Sequence, residues 1–172
     1  MTHVIERLDE WRMSTRDEAA IATLLARCFT TDFGGRSFFC HHHHLRLVIR
    51  DGGIIGHMAL LLRSVLLDGQ QVSVAGLAEV ATDPAHRGQG IAASLLRAAI
   101  DEARASPAEY LLLFGVAKVY AAHGFVTVSN PLVHVDVTGN RLVTTGDDNL
   151  MVLPLRETPW PMGPIDLRGP VF

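Results

Sequence analysis

The chain has 172 residues, 48 % of them hydrophobic and 19 % charged, which is enough to bury a core and typical of one globular domain over residues 1–172. A net charge of −3 and an isoelectric point of about 6.3 argue against a nucleic-acid partner and a polybasic membrane partner, and favour a small cationic one. No apolar run reaches the ~20 residues of a membrane helix, and the charged N-terminus lacks the core of a secretory signal. We therefore expect a cytoplasmic protein in which Cys28 and Cys40 are buried thiols rather than a disulfide.

The first predicted element is a helix. Thr15 and Glu18 have the spacing of a capping box, in which Thr15 caps the helix and Glu18 reaches back to it. Five apolar side chains then recur at helical spacing and form one face: Ile21, Leu24, Leu25, Cys28 and Phe29. The segment over residues 31–38 breaks this pattern and is predicted to be a loop.

Three apolar segments follow, separated by turn residues. The segments cover residues 45–50, 54–67 and 71–82, with Asp51-Gly52-Gly53 and Asp68-Gly69 between them. Apolar runs joined by such short turns predict an antiparallel meander.

The second half of the chain predicts further helices and strands. They are a helix ending near residue 105, a strand over 109–114, a short helix over 116–123, and strands over 125–137 and 149–155. Gly139-Asn140 and Gly146-Asp147 are predicted turns. The last eighteen residues hold four of the eight prolines, so we expect an irregular cap there.

The stretch DPAHRGQGIAASLL, residues 83–96, carries the clearest chemical signal. Gly88 and Gly90 stand at the start of a predicted helix, although glycine inside a helix costs about 0.5–1 kcal/mol relative to alanine. A helix start offers free backbone N–H groups that attract anions, and small residues let a phosphate approach them. The spacing fits neither a P-loop nor a dinucleotide fingerprint. We therefore predict that the backbone between Arg87 and Ala92 binds a pyrophosphate.

This loop resembles the R-x-x-G-x-G/A signature of the GNAT superfamily of N-acyltransferases, with Ala92 in place of the last glycine. The stretch VYAAHGF resembles the family's Y-x-x-x-G-F, and the order of predicted elements agrees over nearly the whole chain. The resemblance implies an α/β GNAT fold, with a mixed, mostly antiparallel, twisted sheet flanked by helices on both faces. It also implies acetyl-coenzyme A (acetyl-CoA) as the acyl donor and no metal, and GNAT relatives are often homodimers.

The resemblance further implies roles for individual residues. Tyr120 matches the family's tyrosine and would protonate the departing thiolate. Glu79 is the candidate base, with His57, His86 or water as alternatives, and strand alternation leaves the direction of its side chain open. An amide near Val80 would stabilise the oxyanion. The implied cofactor-binding residues are Val80, Ala81, Thr82, Arg87, Gly88, Gln89, Gly90, Ile91 and Ala92.

Shorter matches point to an amino group on a sugar as the acceptor. CFTTDF, GGIIGHMALLLRSVLLDGQ and GDDNLMVLPL occur in the order seen in aminoglycoside 2'-N-acetyltransferases. That resemblance implies an aminoglycoside or kasugamycin-type substrate, antibiotic resistance, and these substrate-binding residues: Asp32, Glu79, Asp147, Asp148, Trp160 and Asp166.

Two alternatives to an aminoglycoside acetyltransferase stay open. The tail PWPMGPIDLRGPVF is similar to the end of the nodulation N-acyltransferases, which favours a longer acyl donor acting on another amino sugar. A coenzyme A-binding module without turnover is the second alternative.

The run CHHHH at residues 40–44 raises the question of a metal site. Adjacent histidines cannot all face one ion, and no Cys/His pair at ligand spacing elsewhere completes a set. We expect no metal here, and a position at the surface or at the edge of a cleft, where one histidine would contact substrate if that cleft holds the acceptor.

Overall fold

The computed structural model describes residues 3–144 and 149–172. Its helices are α1 (Thr15–Cys28), α2 (Ile91–Ala105) and α3 (Ala117–Tyr120). Its strands are β1 (Ile5–Asp9), β2 (Leu45–Arg50), β3 (Ile54–Leu67), β4 (Gln70–Thr82), β5 (Tyr110–Phe114), β6 (Val126–Thr127), β7 (Leu132–Val135), β8 (Arg141–Thr144), β9 (Leu150–Pro154) and β10 (Ile165–Asp166). Within these described residues, no helix is long and apolar enough to cross a membrane.

The chain divides into two compact units. The first comprises residues 1–61 and 78–102, and the second comprises residues 62–77 and 103–172, so β3 and β4 each contribute to both.

In the first unit, β2 pairs antiparallel with β1 and with β3. The apolar face of α1 packs onto this sheet because its buried positions recur at helical spacing. The core of the unit consists of Ile21, Leu24, Leu25, Phe33, Val48, Ile54 and Ala81.

Gly56 on β3 sets the position of α2. A Cβ atom at Gly56 would lie 2.5 Å from Cγ2 of Ile91 and 2.9 Å from Cδ1 of Leu95, closer than real side chains allow. Glycine therefore permits α2 to pack directly against the strand. This contact fixes the start of α2 and the glycine-rich loop before it.

In the second unit the strand order is β6-β9-β5-β4-β3-β10-β7-β8. β4 is parallel to β5 and β10 is parallel to β7, whereas the other pairs of described register are antiparallel. The sequence prediction of a mixed, mostly antiparallel sheet is thus confirmed. The core of this unit consists of Val65, Leu67, Val74, Tyr110, Leu112, Leu132, Leu150, Val152, Ile165 and Leu167.

The prediction that Thr15 caps the first helix is wrong. Ser14 is the N-cap, because its backbone is extended and its Oγ accepts a hydrogen bond from the Asp17 amide at 3.1 Å. Thr15 is already the first helical residue. Asp17, rather than Glu18, is the acidic partner of the cap, and its Oδ2 accepts a hydrogen bond from Ser14 Oγ at 2.8 Å.

Two expectations for the C-terminal half also need correction. The segment predicted as one strand over residues 125–137 forms β6 and β7, with Pro131, which has no N–H to donate, just before β7. The last eighteen residues are not wholly irregular, because β10 pairs with both β3 and β7.

Neither cysteine forms a disulfide, but Cys40 is exposed and Cys28 half-buried, so the expectation that both are buried is wrong.

Candidate active site

The segment after β4 forms an open loop in front of α2. Gly88 and Gly90 have φ angles of 78° and 77°, in the left-handed region where residues with a side chain are strained. A Cβ atom at either glycine would meet no heavy atom within 4 Å, so protein side chains do not fill the space beside them. The first amides of α2 have no partner within the helix, as at every helix start. Free amides beside open space fit phosphate oxygens.

Asp83 anchors the chain where β4 ends and this loop begins. Its carboxylate accepts a hydrogen bond from the Ala85 amide at 2.9 Å, and its other oxygen lies 2.8 Å from Nη1 of Arg27. The Asp83 amide in turn donates to the carbonyl of Ile55 on β3 at 2.8 Å. His86 follows in the same turn, with its Nδ1 3.5 Å from Asp83 Oδ1. These contacts hold the loop at a defined place relative to β3.

Glu79 breaks the regular alternation of β4. Its φ angle is 52°, in the left-handed region that is rare within a strand, so strand alternation does not predict the direction of its side chain. The Glu79 carboxylate contacts the segment before β2. Its Oε1 accepts a hydrogen bond from the Phe39 amide at 3.0 Å, and its backbone carbonyl lies 2.8 Å from Nδ1 of His57.

The fully buried guanidinium of Arg46 joins Glu79 to Glu10. Nη1 donates to Oε2 of Glu79 at 2.9 Å and to the carbonyl of Ser37 at 2.9 Å. Nε and Nη2 donate to the two oxygens of Glu10 at 2.8 and 3.0 Å. Two largely buried carboxylates thus share one positive charge. Arg46 therefore does not stabilise the ionised forms of Glu10 and Glu79 equally.

The pKa values of the two carboxyls are pushed apart. Burial raises the pKa of Glu79 to about 7, although Arg46 and the Phe39 amide act in the opposite direction. Burial also acts to raise the pKa of Glu10, but hydrogen bonds from Arg46 and His42 outweigh it and leave that pKa below its usual value. A carboxyl with a pKa near 7 is suited to accept a proton at neutral pH.

Two histidines beside this cluster are neutral. Burial, assisted by the charge of Arg46, lowers the pKa of His57 to about 3 and that of His43 to about 2. The low pKa of His57 means that it does not retain a proton at neutral pH, which favours Glu79 as the residue that ends up holding the amine proton. His43 is 5 % exposed, and its Nδ1 lies 3.8 Å from Oε2 of Glu79.

A cavity of about 400 Å³ opens beside the cluster. Its lining consists of Glu10, Trp11, His42, His43 and His44. The histidine run therefore lies at a cleft edge, one of the two positions expected from the sequence. Within residues 3–144 and 149–172, no group of three or more His, Cys, Asp or Glu side chains has the geometry to hold a metal ion.

Sequence reasoning missed Glu10, Trp11 and Arg46. A signal for Arg46 was available, because a charged residue inside the apolar run LRLVIR requires a buried partner. His57 interrupts the apolar run IIGHMALLL in the same way. These two polar interruptions together could have indicated a buried polar cluster on neighbouring strands, but not Glu10, which follows β1, or Glu79 on β4.

Tyr120 belongs to the second unit, at the end of α3. Its ring packs edge-to-face on Phe125 with 5.9 Å between centroids, and the absence of a side chain at Gly115 makes room for it. Burial raises the pKa of Tyr120, so the hydroxyl remains protonated at neutral pH. This protonation state is the one that a proton donor to a thiolate needs.

Asp32 and Asp166, predicted to bind substrate, have described contacts of their own. Oδ1 of Asp32 accepts a hydrogen bond from the Gly34 amide at 2.7 Å, and the side chain is exposed in a turn. Asp166 lies on β10, where its Oδ2 is 3.0 Å from Nη2 of Arg141. These contacts are structural, and the substrate role of both aspartates stays a prediction.

Trp160 packs against the core of the second unit. Its Nε1 donates to Oδ1 of Asn130 at 2.7 Å, and its ring meets Tyr110 edge-on with 4.9 Å between centroids. Its role in substrate binding also stays a prediction. Asp147 and Asp148, the remaining predicted acidic residues, lie outside the described residues.

The family described as "Acetyltransferase (GNAT) domain" matches residues 12–128. Because this match covers more than half of the chain, the protein belongs to the GNAT acetyltransferase family. It has the GNAT fold and is an acyl-CoA-dependent N-acetyltransferase. No curated protein matches the chain.

Solved structures share this fold at low sequence identity. The GNAT family N-acetyltransferase YhbS from Escherichia coli, in complex with CoA, is 22 % identical with a TM-score of 0.68, over 96 % of this chain and 89 % of that one. A GNAT family acetyltransferase from Brucella melitensis, in complex with acetyl-CoA, is 20 % identical with a TM-score of 0.63, over 95 % and 96 %. The ribosomal-protein-S18-alanine N-acetyltransferase from Escherichia coli is 19 % identical with a TM-score of 0.59, over 91 % and 97 %.

Proposed function

We propose that this protein transfers an acetyl group from acetyl-CoA to an amino group of an aminoglycoside or aminoglycoside-like antibiotic in the cytoplasm, and thereby gives resistance. The observation that carries the acetyl-transfer part is the pairing of two features on one stretch of chain. The open loop at Gly88 and Gly90 offers a phosphate site, and Glu79, a few residues earlier on β4, has a pKa of about 7.

The donor would bind along this stretch. The amides from Gly88 to Ala92 would hold the pyrophosphate, each exposed helix-start contact contributing roughly 0.3–1 kcal/mol, and Arg87 adds a positive charge beside them. The described pairs of β4 with β5 cover Val74 to Leu77. We assign the backbone of Val80, Ala81 and Thr82, further along β4, to hydrogen bonds with the pantetheine arm.

The chemistry needs a neutral amine, a stabilised oxyanion and a proton for the leaving thiolate. A β4 amide near Val80 would donate a hydrogen bond to the carbonyl oxygen as negative charge develops there. The ionised Glu79 would accept the proton from the attacking nitrogen, and Tyr120 would give its proton to the sulfur as the C–S bond breaks. A C–N bond replaces that C–S bond, so the products are an amide and the free thiol of coenzyme A.

The aminoglycoside part of the proposal is supported by the resemblance of the short motifs. An aminoglycoside carries several ammonium groups, which Asp32, Asp147, Asp148 and Asp166 would hold while Trp160 packs against a ring. Acetylation would remove one positive charge from the drug.

A free-thiol release assay with acetyl-CoA tests the proposal. The acceptor panel contains aminoglycosides, kasugamycin, polyamines and peptides with free N-termini, and the donor panel adds longer acyl-CoA molecules. We expect release with acetyl-CoA and an aminoglycoside-type amine. An exclusive preference for polyamines or peptides would overturn the resistance proposal, and a preference for long acyl chains would favour another amino sugar. Calorimetry with acetyl-CoA alone tests donor binding separately.

A further inference from the structure

We propose that the cavity lined by Glu10, Trp11, His42, His43 and His44 receives the ring that carries the acceptor amine, and that His43 passes the amine proton to Glu79. This inference rests on the proposed acetyl transfer and adds to it a binding site and a second proton-transfer residue.

The cavity and Glu79 are joined by direct contacts. His43 lines the cavity, and its Nδ1 lies 3.8 Å from Oε2 of Glu79. Glu10 also lines the cavity and binds the Arg46 guanidinium, whose Nη1 donates to the same Oε2. A group in the cavity is therefore separated from the proposed base by one side chain. A separation of 3.8 Å exceeds a hydrogen bond, but catalytic contacts commonly tighten when substrate binds.

The ring nitrogen of His43 that lies 3.8 Å from Glu79 has no hydrogen bond within the described part of the chain. Among the described residues, Nδ1 has no partner within hydrogen-bond geometry although the residue is 95 % buried. Buried polar atoms are nearly always hydrogen-bonded, and an exception at a cavity wall calls for a functional explanation. A proton passing between substrate and Glu79 supplies one.

The charge state of His43 suits a relay. Burial and the neighbouring Arg46, His41, His57 and His42 keep the pKa of His43 near 2, so the ring is neutral with one protonated nitrogen. A neutral ring can accept a proton on one nitrogen while it gives up the proton on the other. It does not have to become a stable cation in this buried place.

The proton balance follows from this charge state. As the amine nitrogen bonds to the acetyl carbon, its surplus proton moves to the unprotonated ring nitrogen of His43. The proton on Nδ1 moves to Oε2 of Glu79, so the imidazole stays neutral and Glu79 becomes protonated. Glu79 then loses its proton to water, and exchange of the ring protons with water restores the starting tautomer.

The lining also defines the ligand chemistry. Trp11 is 92 % exposed and offers an apolar indole face, on which the C–H face of a sugar ring can pack. The carboxylate in the lining, Glu10, is already bound by two nitrogens of Arg46. The cavity therefore suits one ring with one reacting amine, and further ammonium groups of an acceptor would lie outside it.

The relay is tested with His43→Gln and the matched control His134→Gln, since His134 also has a buried Nδ1 without a partner but lies outside the cavity lining. We expect kcat for thiol release to fall 10- to 100-fold in His43→Gln, with acetyl-CoA affinity retained. Ionisation of Glu79 makes kcat rise with pH, and this rise should be flatter in His43→Gln. The titratable and charged groups around Glu79 are Arg46, Glu10, His43, His57 and Cys40. Equal kcat and pH profiles in both variants would overturn the relay.

A second variant keeps the test decisive if His43→Gln does not fold. His43→Ala leaves a space that free imidazole can enter, so added imidazole should restore turnover in this variant and not in His134→Ala. Loss of activity in His43→Ala without any rescue, in protein that still binds acetyl-CoA, would show a structural role and overturn the relay.

The cavity itself is tested without turnover. Glucosamine, a single ring with one amine, should quench the fluorescence of the exposed Trp11, and the quench should be absent in Trp11→Phe. No quench at any concentration up to the solubility limit would overturn the cavity assignment. If glucosamine binds but no amine releases thiol, the proposed acetyl transfer fails while the ring-binding site stands.

Discussion

Arg46 and Glu79 form a buried ion pair in which one guanidinium nitrogen of three, Nη1, donates to the carboxylate, at 2.9 Å. The other two nitrogens donate to Glu10. The shared cation therefore favours the ionised form of Glu10 more than that of Glu79, and burial is left to dominate at Glu79. Burial raises the pKa of Glu79 to about 7, whereas this unequal sharing and the hydrogen bond with His42 leave the pKa of Glu10 below its usual value.

Replacement of Glu79 tests its role as the base. A base must be ionised, so the wild-type rate should rise with pH through about 7 and level off above it. Glu79→Gln should lower kcat on the order of 10²- to 10⁴-fold and remove this rise, leaving only the titration of the acceptor amine. Steady-state thiol release between pH 6 and 9 measures both effects, with the exposed Glu157→Gln as control. An unchanged rate would show that Glu79 is not the base and would leave His86 or water in that role.

The same pKa makes a prediction for stability. Folding raises the pKa of Glu79 from 4.5 to about 7, so the folded state resists ionisation that the unfolded state undergoes freely. The favourable contribution of Glu79 to the free energy of unfolding is complete below pH 4.5 and is lost as the pH rises through 7. The free energy of unfolding of wild type relative to Glu79→Gln should therefore fall by about 3 kcal/mol between pH 4.5 and 8. Urea unfolding of both proteins measures this difference, and a constant difference across that range would contradict the raised pKa.

The open loop can be tested at Gly88. Alanine there must adopt a φ of 78°, which costs about 1–2 kcal/mol, and its methyl group occupies space assigned to phosphate. We expect Gly88→Ala to weaken acetyl-CoA binding at least 10-fold by calorimetry. Gly139→Ala is the matched control, because Gly139 also has a positive φ, 90°, and open space at its Cβ position. Equal effects on affinity would mean that strain alone, and not the phosphate site, accounts for the loss.

Tyr120→Phe removes a hydroxyl and retains the ring that packs on Phe125. Thermal stability should change little, whereas kcat should fall on the order of 10²-fold because the leaving thiolate loses its proton donor. Tyr110→Phe provides the contrast. The Tyr110 hydroxyl donates to the Pro159 carbonyl at 2.9 Å, so its loss should lower stability by about 1 kcal/mol and leave kcat near the wild-type value. Full turnover in Tyr120→Phe would remove this residue from the mechanism.

The position of the first helix cap is a simple test of local structure. Ser14→Ala removes the oxygen that accepts from the Asp17 amide and should destabilise the protein by about 1 kcal/mol. Thr15→Ala should have an effect close to zero, since Thr15 is inside the helix and alanine has the better helix propensity. Chemical denaturation of both variants measures the difference. The reverse order would restore Thr15 as the cap.

Features that depend only on residues close together in the chain could be predicted before the fold was known. Helical and strand periodicity gave α1, α2 and the strands from β2 to β5 with bounds close to those observed. The spacing of Arg87, Gly88 and Gly90 indicated the family, because a backbone phosphate site is built from consecutive residues. The cap of α1 was misassigned by one position, since Ser14 and Thr15 are both good caps and the choice depends on their backbone angles.

The members of the proposed catalytic cluster meet only in the folded chain. Glu10, Arg46 and Glu79 come from segments more than thirty residues apart. The pairing of β2 with β1 and β3, and of β3 with β4, brings these segments together. The pKa of Glu79 could not follow from the sequence, because it arises from burial and from the division of one guanidinium between two carboxylates. Local patterns predict which segments form strands, whereas the environment of a charge depends on every segment that surrounds it.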